Sequence, residues 1–178
     1  AGCAASSPTV KTVTVNPLPV PTISGNAAAC QNSTGNVYST QAGMTGYVWV
    51  VSAGGTITAG GAATNNSVTV TWNTVGAESV SVVYTNGSGC TAAVPTVYAV
   101  TVNALPVPTL AGPNSVCKNS AGNVYTTEAG MSNYNWTVSA GGTITAGGAG
   151  SNTLTVTWNT AGAQTVSVNY NNLNNCQA

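Results

Sequence analysis

The chain has 178 residues, two Lys, two Glu, no His, five Cys and a formal net charge of zero. With charged residues at 2% it carries no electrostatic footprint for nucleic acid or an anionic membrane, and no apolar run nears the ~20 residues that span a bilayer. Because Asp and His are both absent, a Ser–His–Asp triad and a carboxylate-rich calcium cage are excluded.

Thr, Val, Gly, Asn, Ser and Ala dominate and helix formers are scarce, which is an all-β composition. The 178 residues divide by an internal repeat, because Val102-Asn103-Ala104-Leu105-Pro106-Val107-Pro108-Thr109 echoes Val15-Asn16-Pro17-Leu18-Pro19-Val20-Pro21-Thr22, 87 positions earlier. Prolines two apart fix φ and remove backbone donors, so Pro19, Pro21, Pro106 and Pro108 define extended, semi-rigid spacers.

In chain order, residues 1–16 start with neither an initiator Met nor a signal peptide and read as mature or internal sequence. Val10, Val13 and Val15 match Val97, Val100 and Val102, so this segment reads as the last strand of a preceding repeat, or as a donated strand. Residues 22–25 are a short strand candidate, followed by Cys30 in a polar turn and a strand through Val37 and Tyr38; a twin runs from Thr109 through Cys117. Period two then puts Tyr47, Trp49 and Val51 on one face, as it does Tyr134, Trp136 and Val138.

Gly54-Gly55 and Gly60-Gly61 mark turns around a Thr-Ile-Thr strand. The repeat offset then drops from 87 to 86, which places residues 62–66 and 149–152 in surface loops. Val68, Val70 and Trp72 alternate with Thr, as do Leu154, Val156 and Trp158; Val80, Val82 and Tyr84 repeat as Val166, Val168 and Tyr170 before Cys90 and Cys176. Each unit holds about seven strands, as an antiparallel sandwich does. The expected fold is therefore two tandem antiparallel β-sandwiches joined by a Pro-rich spacer, over residues 17–103 and 104–178. The second lacks its last strand. Either the sequence is a window on a longer array, or one copy's N-terminal strand completes its neighbour; the array fits better, since residues 1–5 and 174–178 occupy the same repeat positions.

The order Cys117, Tyr125, Tyr134-Asn135-Trp136, Gly141-Gly142-Thr143-Ile144, Thr155-Val156-Thr157-Trp158, Val166-Ser167-Val168 and Cys176 resembles the PKD-like, immunoglobulin-like repeats of large surface proteins. The acidic Trp-Asp-Phe-Gly-Asp-Gly signature of other PKD domains is absent. The resemblance implies an extracellular or cell-surface spacer in an adhesin, a gliding-motility filament or another exported protein of Bacteroidota-type bacteria, which commonly leaves the cell by type IX secretion.

No catalytic constellation accompanies the repeats. Glu78 aligns with Gln164 and Glu128 with Gln41, so neither unit holds a carboxylate pair, and both Glu read as solvated surface groups. No Cys-x-x-Cys pair suggests zinc, and no cofactor motif is present. The sequence points to no enzyme, metal or cofactor. Alternation with Thr and Val makes Tyr47, Trp49, Trp72, Tyr134, Trp136 and Trp158 core residues; exposed instead, they would make a carbohydrate-binding module with glycan as partner. The expected partners are neighbouring repeats or copies, end to end.

Five cysteines in an exported chain argue for oxidation. Counting gives one pair per unit, Cys30–Cys90 and Cys117–Cys176, but the first turn and the last hairpin of a sandwich lie at opposite ends, whereas a disulfide needs Cα atoms ~5.5 Å apart. In a linear stack the first turn of one domain faces the last hairpin of the next, which favours Cys30–Cys176 across the spacer.

Overall fold

A computed structural model describes residues 2–4 and 7–178. Its described residues contain twelve strands and no helix. The first domain comprises β1 (Ala28–Cys30), β2 (Asn36–Ser39), β3 (Thr45–Val51), β4 (Gly55–Gly60), β5 (Ser67–Trp72), β6 (Gly76–Thr85) and β7 (Thr96–Asn103). The second comprises β8 (Asn123–Thr126), β9 (Ser132–Val138), β10 (Gly142–Gly147), β11 (Thr153–Trp158) and β12 (Val166–Asn171).

In the first domain one sheet runs β2-β5-β4 and the facing sheet β1-β7-β6-β3. The alternation of Val and Trp with Thr in β5 sends Val68, Val70 and Trp72 inward, where they meet Tyr47, Trp49, Val80, Val82, Val100 and Val102 from the other sheet. Trp72 and Tyr38 meet edge to face, ring centroids 6.2 Å apart, and the Trp72 indole Nε1 donates to the Tyr38 hydroxyl at 3.0 Å. Trp158 repeats the bond to Tyr125 at 3.1 Å. Gly60 and Gly147 end β4 and β10 at φ 69°, and a Cβ there would stand 2.4 and 2.2 Å from the carbonyl oxygens of Ser67 and Thr153. Only glycine fits this close approach beside the bulges at Ile57/Ala59 and Ile144/Ala146.

Several expectations are corrected. Residues 22–25 form no strand; Ser24 makes a single bridge to Ser39, because a two-residue contact gives a ladder nothing to propagate. Cys30 ends a strand rather than sitting in a turn, and β1 pairs parallel to β7, so the sandwich is not wholly antiparallel. The segment read as the last strand of a preceding repeat is a separate matter, since its partner would belong to another repeat: residues 1, 5 and 6 lie outside the described residues, and residues 7–16 pair with no strand of this chain. Val10, Val13 and Val15 are 82%, 72% and 88% exposed, as expected of a strand-like sequence without an edge to join.

The second domain has five strands among the described residues, in sheets β8-β11-β10 and β9-β12. No counterpart of β7 covers β12, and three differences from the first domain follow. Gly76–Ser79 of β6 pair only with β7, and their equivalents, residues 162–165, are not in a strand. The equivalent of β1 has lost its parallel partner: Val116 is 36% exposed where Ala29 is 8%. Val80 and Val82 are fully buried, whereas Val166 and Val168 are half-buried.

These differences set the expected response of the two Trp–Tyr pairs. Trp72→Phe, in the closed core, should cost about 1–3 kcal/mol by lost volume and the lost bond to Tyr38. Trp158→Phe should cost less, because its site already opens onto solvent. Denaturant unfolding of each variant followed by tryptophan fluorescence measures both; equal costs would show that the missing strand leaves the second core intact.

Candidate functional site: a stapled domain junction

The feature that joins the two domains is a disulfide between Cys30 and Cys176, with Cα atoms 5.5 Å apart. Cys30 is placed by the parallel pairing of β1 with β7, where it stands opposite Asn103, the last residue before the spacer. Cys176 is placed by a hairpin: the Asn172 side-chain oxygen accepts from the backbone N–H of Asn174 and of Cys176, both at 3.0 Å, and the Asn172 Nδ2 donates 3.0 Å to the carbonyl of Ala104. One asparagine thus shapes the hairpin and grips the start of the spacer. The Gln31 N–H donates 2.8 Å to the Asn103 carbonyl from the other side.

The far end of the spacer is held by Glu128. The backbone N–H of Thr109 donates to both of its carboxylate oxygens, each at 3.1 Å, and the hydroxyls of Thr109 and Thr127 donate as well. The Tyr170 hydroxyl adds a bond of 2.9 Å. These donors hold the Glu128 carboxyl well below the usual carboxylate range, the Thr109 hydroxyl contributing most. Burial, reinforced by the neighbouring carboxylate, pushes the Tyr170 hydroxyl up to about 12.

The same arrangement precedes the first domain. Asn86 Nδ2 donates 3.2 Å to the Pro17 carbonyl, its Oδ1 accepts from the Ser88 and Cys90 N–H groups at 3.1 and 3.0 Å, and Gln41 accepts from the Thr22 N–H at 3.1 Å. Both spacers therefore enter the domain that follows them on the same footing. Cys90, the counterpart of Cys176, has its sulfur 3.9 Å from the Asn16 carbonyl and is free.

The structure contains the inter-domain pairing; Cys3, Cys90 and Cys117 are free thiols, so neither Cys30–Cys90 nor Cys117–Cys176 is present. Cys30 and Cys90 lie at opposite ends of the first domain, one beside Asn103 and the other beside Asn16. Pro106 and Pro108 lie in the spacer between Asn103 and Thr109, and Pro19 and Pro21 between Asn16 and Thr22, none of them in a strand. Tyr47, Trp49, Trp72, Tyr134, Trp136 and Trp158 are buried, and the Trp49 and Trp136 indoles donate to the Asn65 and Ser151 carbonyls at 3.0 and 2.8 Å. Trp158 borders a groove beside the second core, and the other five rings offer no open face on which a sugar could stack.

The two glutamates lie partly exposed at the surface, and each is also fixed by internal hydrogen bonds. Glu78 accepts from the Ser52 hydroxyl and, at 3.3 Å, from the Gly54 N–H, tying two strands together, and Glu128 anchors the spacer. The sequence did contain a signal for the anchors: Asn86 and Asn172 each stand four residues before a repeated cysteine, the spacing of an Asn-capped hairpin. Among the described residues no group of three or more His, Cys, Asp or Glu could hold a metal ion, and no helix is long and apolar enough to cross a membrane.

Because the folded Glu128 carboxyl titrates below its unfolded value of ~4.3, its contribution is complete above that pH and is lost as pH falls towards the folded value. Lowering the pH from about 5 to 3 should therefore depress the melting temperature of the natural chain more than that of Glu128→Gln, which has the side chain found at Gln41. Calorimetry across that range checks it; parallel pH profiles would mean that the anchor is screened by solvent.

A family model described as PKD-like domain matches residues 16–100 and again 103–178. No curated protein matches the chain. Among solved structures the chain is similar to the D00-D0 domain of intimin, at 17% identity and a TM-score of 0.40 over 83% of this chain and 91% of that one. It is also similar to the fibronectin(III)-like modules of CbhA from Clostridium thermocellum, at 14% identity and a TM-score of 0.41 over 88% and 89%.

Proposed function

The chain belongs to the PKD-like domain family, and on that premise we propose that it is a load-bearing repeat segment of an extracellular surface protein, with no catalytic role. Adhesin stalks and gliding filaments, exported in some bacteria by type IX secretion, are the settings that suit such a segment. The observation that carries the reading is the Cys30–Cys176 bond. It bridges 146 positions and encloses both sandwiches and the spacer in one covalent loop.

Tension along the chain enters before Cys30 and leaves after Cys176. With the bond intact, force crosses the sulfur bridge, and the hydrogen-bonded strands between carry none of it. Disulfides persist in oxidising surroundings, so the staple also supports an extracellular location. With few charges, contacts between successive domains meet little repulsion and depend little on salt.

Single-molecule pulling from residues 1 and 178 tests the reading. The oxidised chain should show no unfolding length from residues 31–175. Reduction should release roughly 500 Å, the 146-residue separation at ~3.4 Å per residue. Equal extension with and without reductant would overturn the load-bearing role of the bond.

A further inference from the structure

We propose that Asn86 is a self-modifying site: its side-chain amide closes onto the backbone nitrogen of Gly87, loses ammonia and opens in water to aspartate or isoaspartate, which releases the first spacer from its grip. The inference goes beyond the load-bearing reading and does not depend on it.

Asn86 is the one asparagine of the chain that glycine follows. Ring closure needs the asparagine side-chain carbon to approach the next residue's nitrogen, and a side chain on that next residue obstructs the approach. Gly87 has none, is exposed, and has open space where a Cβ would stand. The hairpin leaves the pair poised. Asn86 Oδ1 accepts from the N–H groups of Ser88 and Cys90 at 3.1 and 3.0 Å, so the side chain is folded back over the Gly87 peptide. The same two donors point at the oxygen on which negative charge develops as the nitrogen attacks, the arrangement that stabilises a tetrahedral intermediate.

The step balances without a cofactor. Hydroxide removes the Gly87 amide proton, the nitrogen attacks the Asn86 Cγ, and the Cγ–Nδ2 bond breaks as the departing group takes a proton from water and leaves as ammonia. Water then opens the cyclic imide. Cleavage of the new Cγ–N bond gives aspartate, and cleavage of the original backbone bond gives isoaspartate.

Either product lacks the Nδ2 that donates 3.2 Å to the Pro17 carbonyl, and it sets a carboxylate in place of that donor. Aspartate keeps an oxygen for Ser88 and Cys90, so the hairpin stays and the spacer is released. Isoaspartate also lengthens the main chain within the hairpin, which is closed by the Asn86 N–H to the Cys90 carbonyl at 2.9 Å and the Gly89 N–H to the Asn86 carbonyl at 3.0 Å.

The second hairpin is an internal control. Asn172 makes the same bonds to Asn174, Cys176 and Ala104, but Leu173 follows it. One spacer anchor is therefore lasting, and the other lapses with age.

Incubating the natural chain in mildly alkaline buffer and mapping its peptides should show aspartate and isoaspartate accumulating at Asn86 at least ~tenfold faster than at Asn172. The Leu18 amide resonance, whose peptide group contains the Pro17 carbonyl, should shift in step with the conversion, and the Thr22 amide, held by Gln41, should not. Gly87→Leu places the second hairpin's residue at a position with negative φ and open space; it should keep the melting temperature and slow the conversion at least ~tenfold. Equal rates at Asn86 and Asn172, or undiminished conversion in Gly87→Leu, would overturn the site. A Leu18 resonance that stays in place as Asn86 converts would overturn the release of the spacer. None of these outcomes touches Cys30 or Cys176, so the pulling experiment judges the load-bearing reading separately.

Discussion

A β-strand has two hydrogen-bonding edges, and how far each domain closes depends on whether β6 or β12 has both of them paired. β6 is paired by β3 along its C-terminal half and by β7 from Gly76 to Val82. That second pairing sets the buried Val102 and Val100 of β7 opposite Gly76 and Glu78, in the same core as Val80 and Val82, and it provides the edge on which β1 lies in parallel. β12 has only β9, and the consequences propagate outward: a shortened strand, a half-exposed pair of valines, and a Val116 without a sheet to join. One strand therefore governs both the packing of the core and the position of the residue next to the first-turn cysteine, because Cys30 is held by the end of the same ladder.

The link between that ladder and the disulfide explains why the covalent bond falls between domains. β7 ends at Asn103, the spacer begins there, and Asn172 of the following domain grips its first carbonyl. Cys30 reaches this point from one side and Cys176 from the other, so the bond forms where the chain itself leaves one domain for the next. The spacer thus lies beside a covalent bridge at its start and is tied at its end by Glu128 to Thr109. Its prolines limit the bending left to the residues between.

Most of the strands were legible because their inward positions alternate without exception: Val68, Val70 and Trp72 in one repeat, Leu154, Val156 and Trp158 in the other. The cysteine geometry was legible from topology, since opposite ends of a sandwich cannot meet. Three things were not. Residues 9–16 have the pattern of a strand, but a pattern states which face would be buried and not whether a partner is present. The parallel pairing of Ala28–Cys30 leaves no periodicity in three residues. Glu78 and Glu128 looked solvated because their repeat partners are Gln164 and Gln41, yet the substitution shows a shared need for a side-chain acceptor at each site: Gln164 accepts from Ser139 at 2.5 Å where Glu78 accepts from Ser52.

The scarcity of charge bears on how such repeats find the right neighbour. In charged surfaces, like-charge repulsion rejects wrong partners and opposite charge selects the register. Here neither is available, because the chain has two cations and two carboxylates and both carboxylates are occupied with internal hydrogen bonds. Selection must come from geometry: an asparagine that accepts a single spacer trajectory, and a disulfide that forms only when the Cα atoms come to 5.5 Å. The two act together, because a spacer displaced from the Asn172 bond to Ala104 would also carry Cys176 out of reach of Cys30.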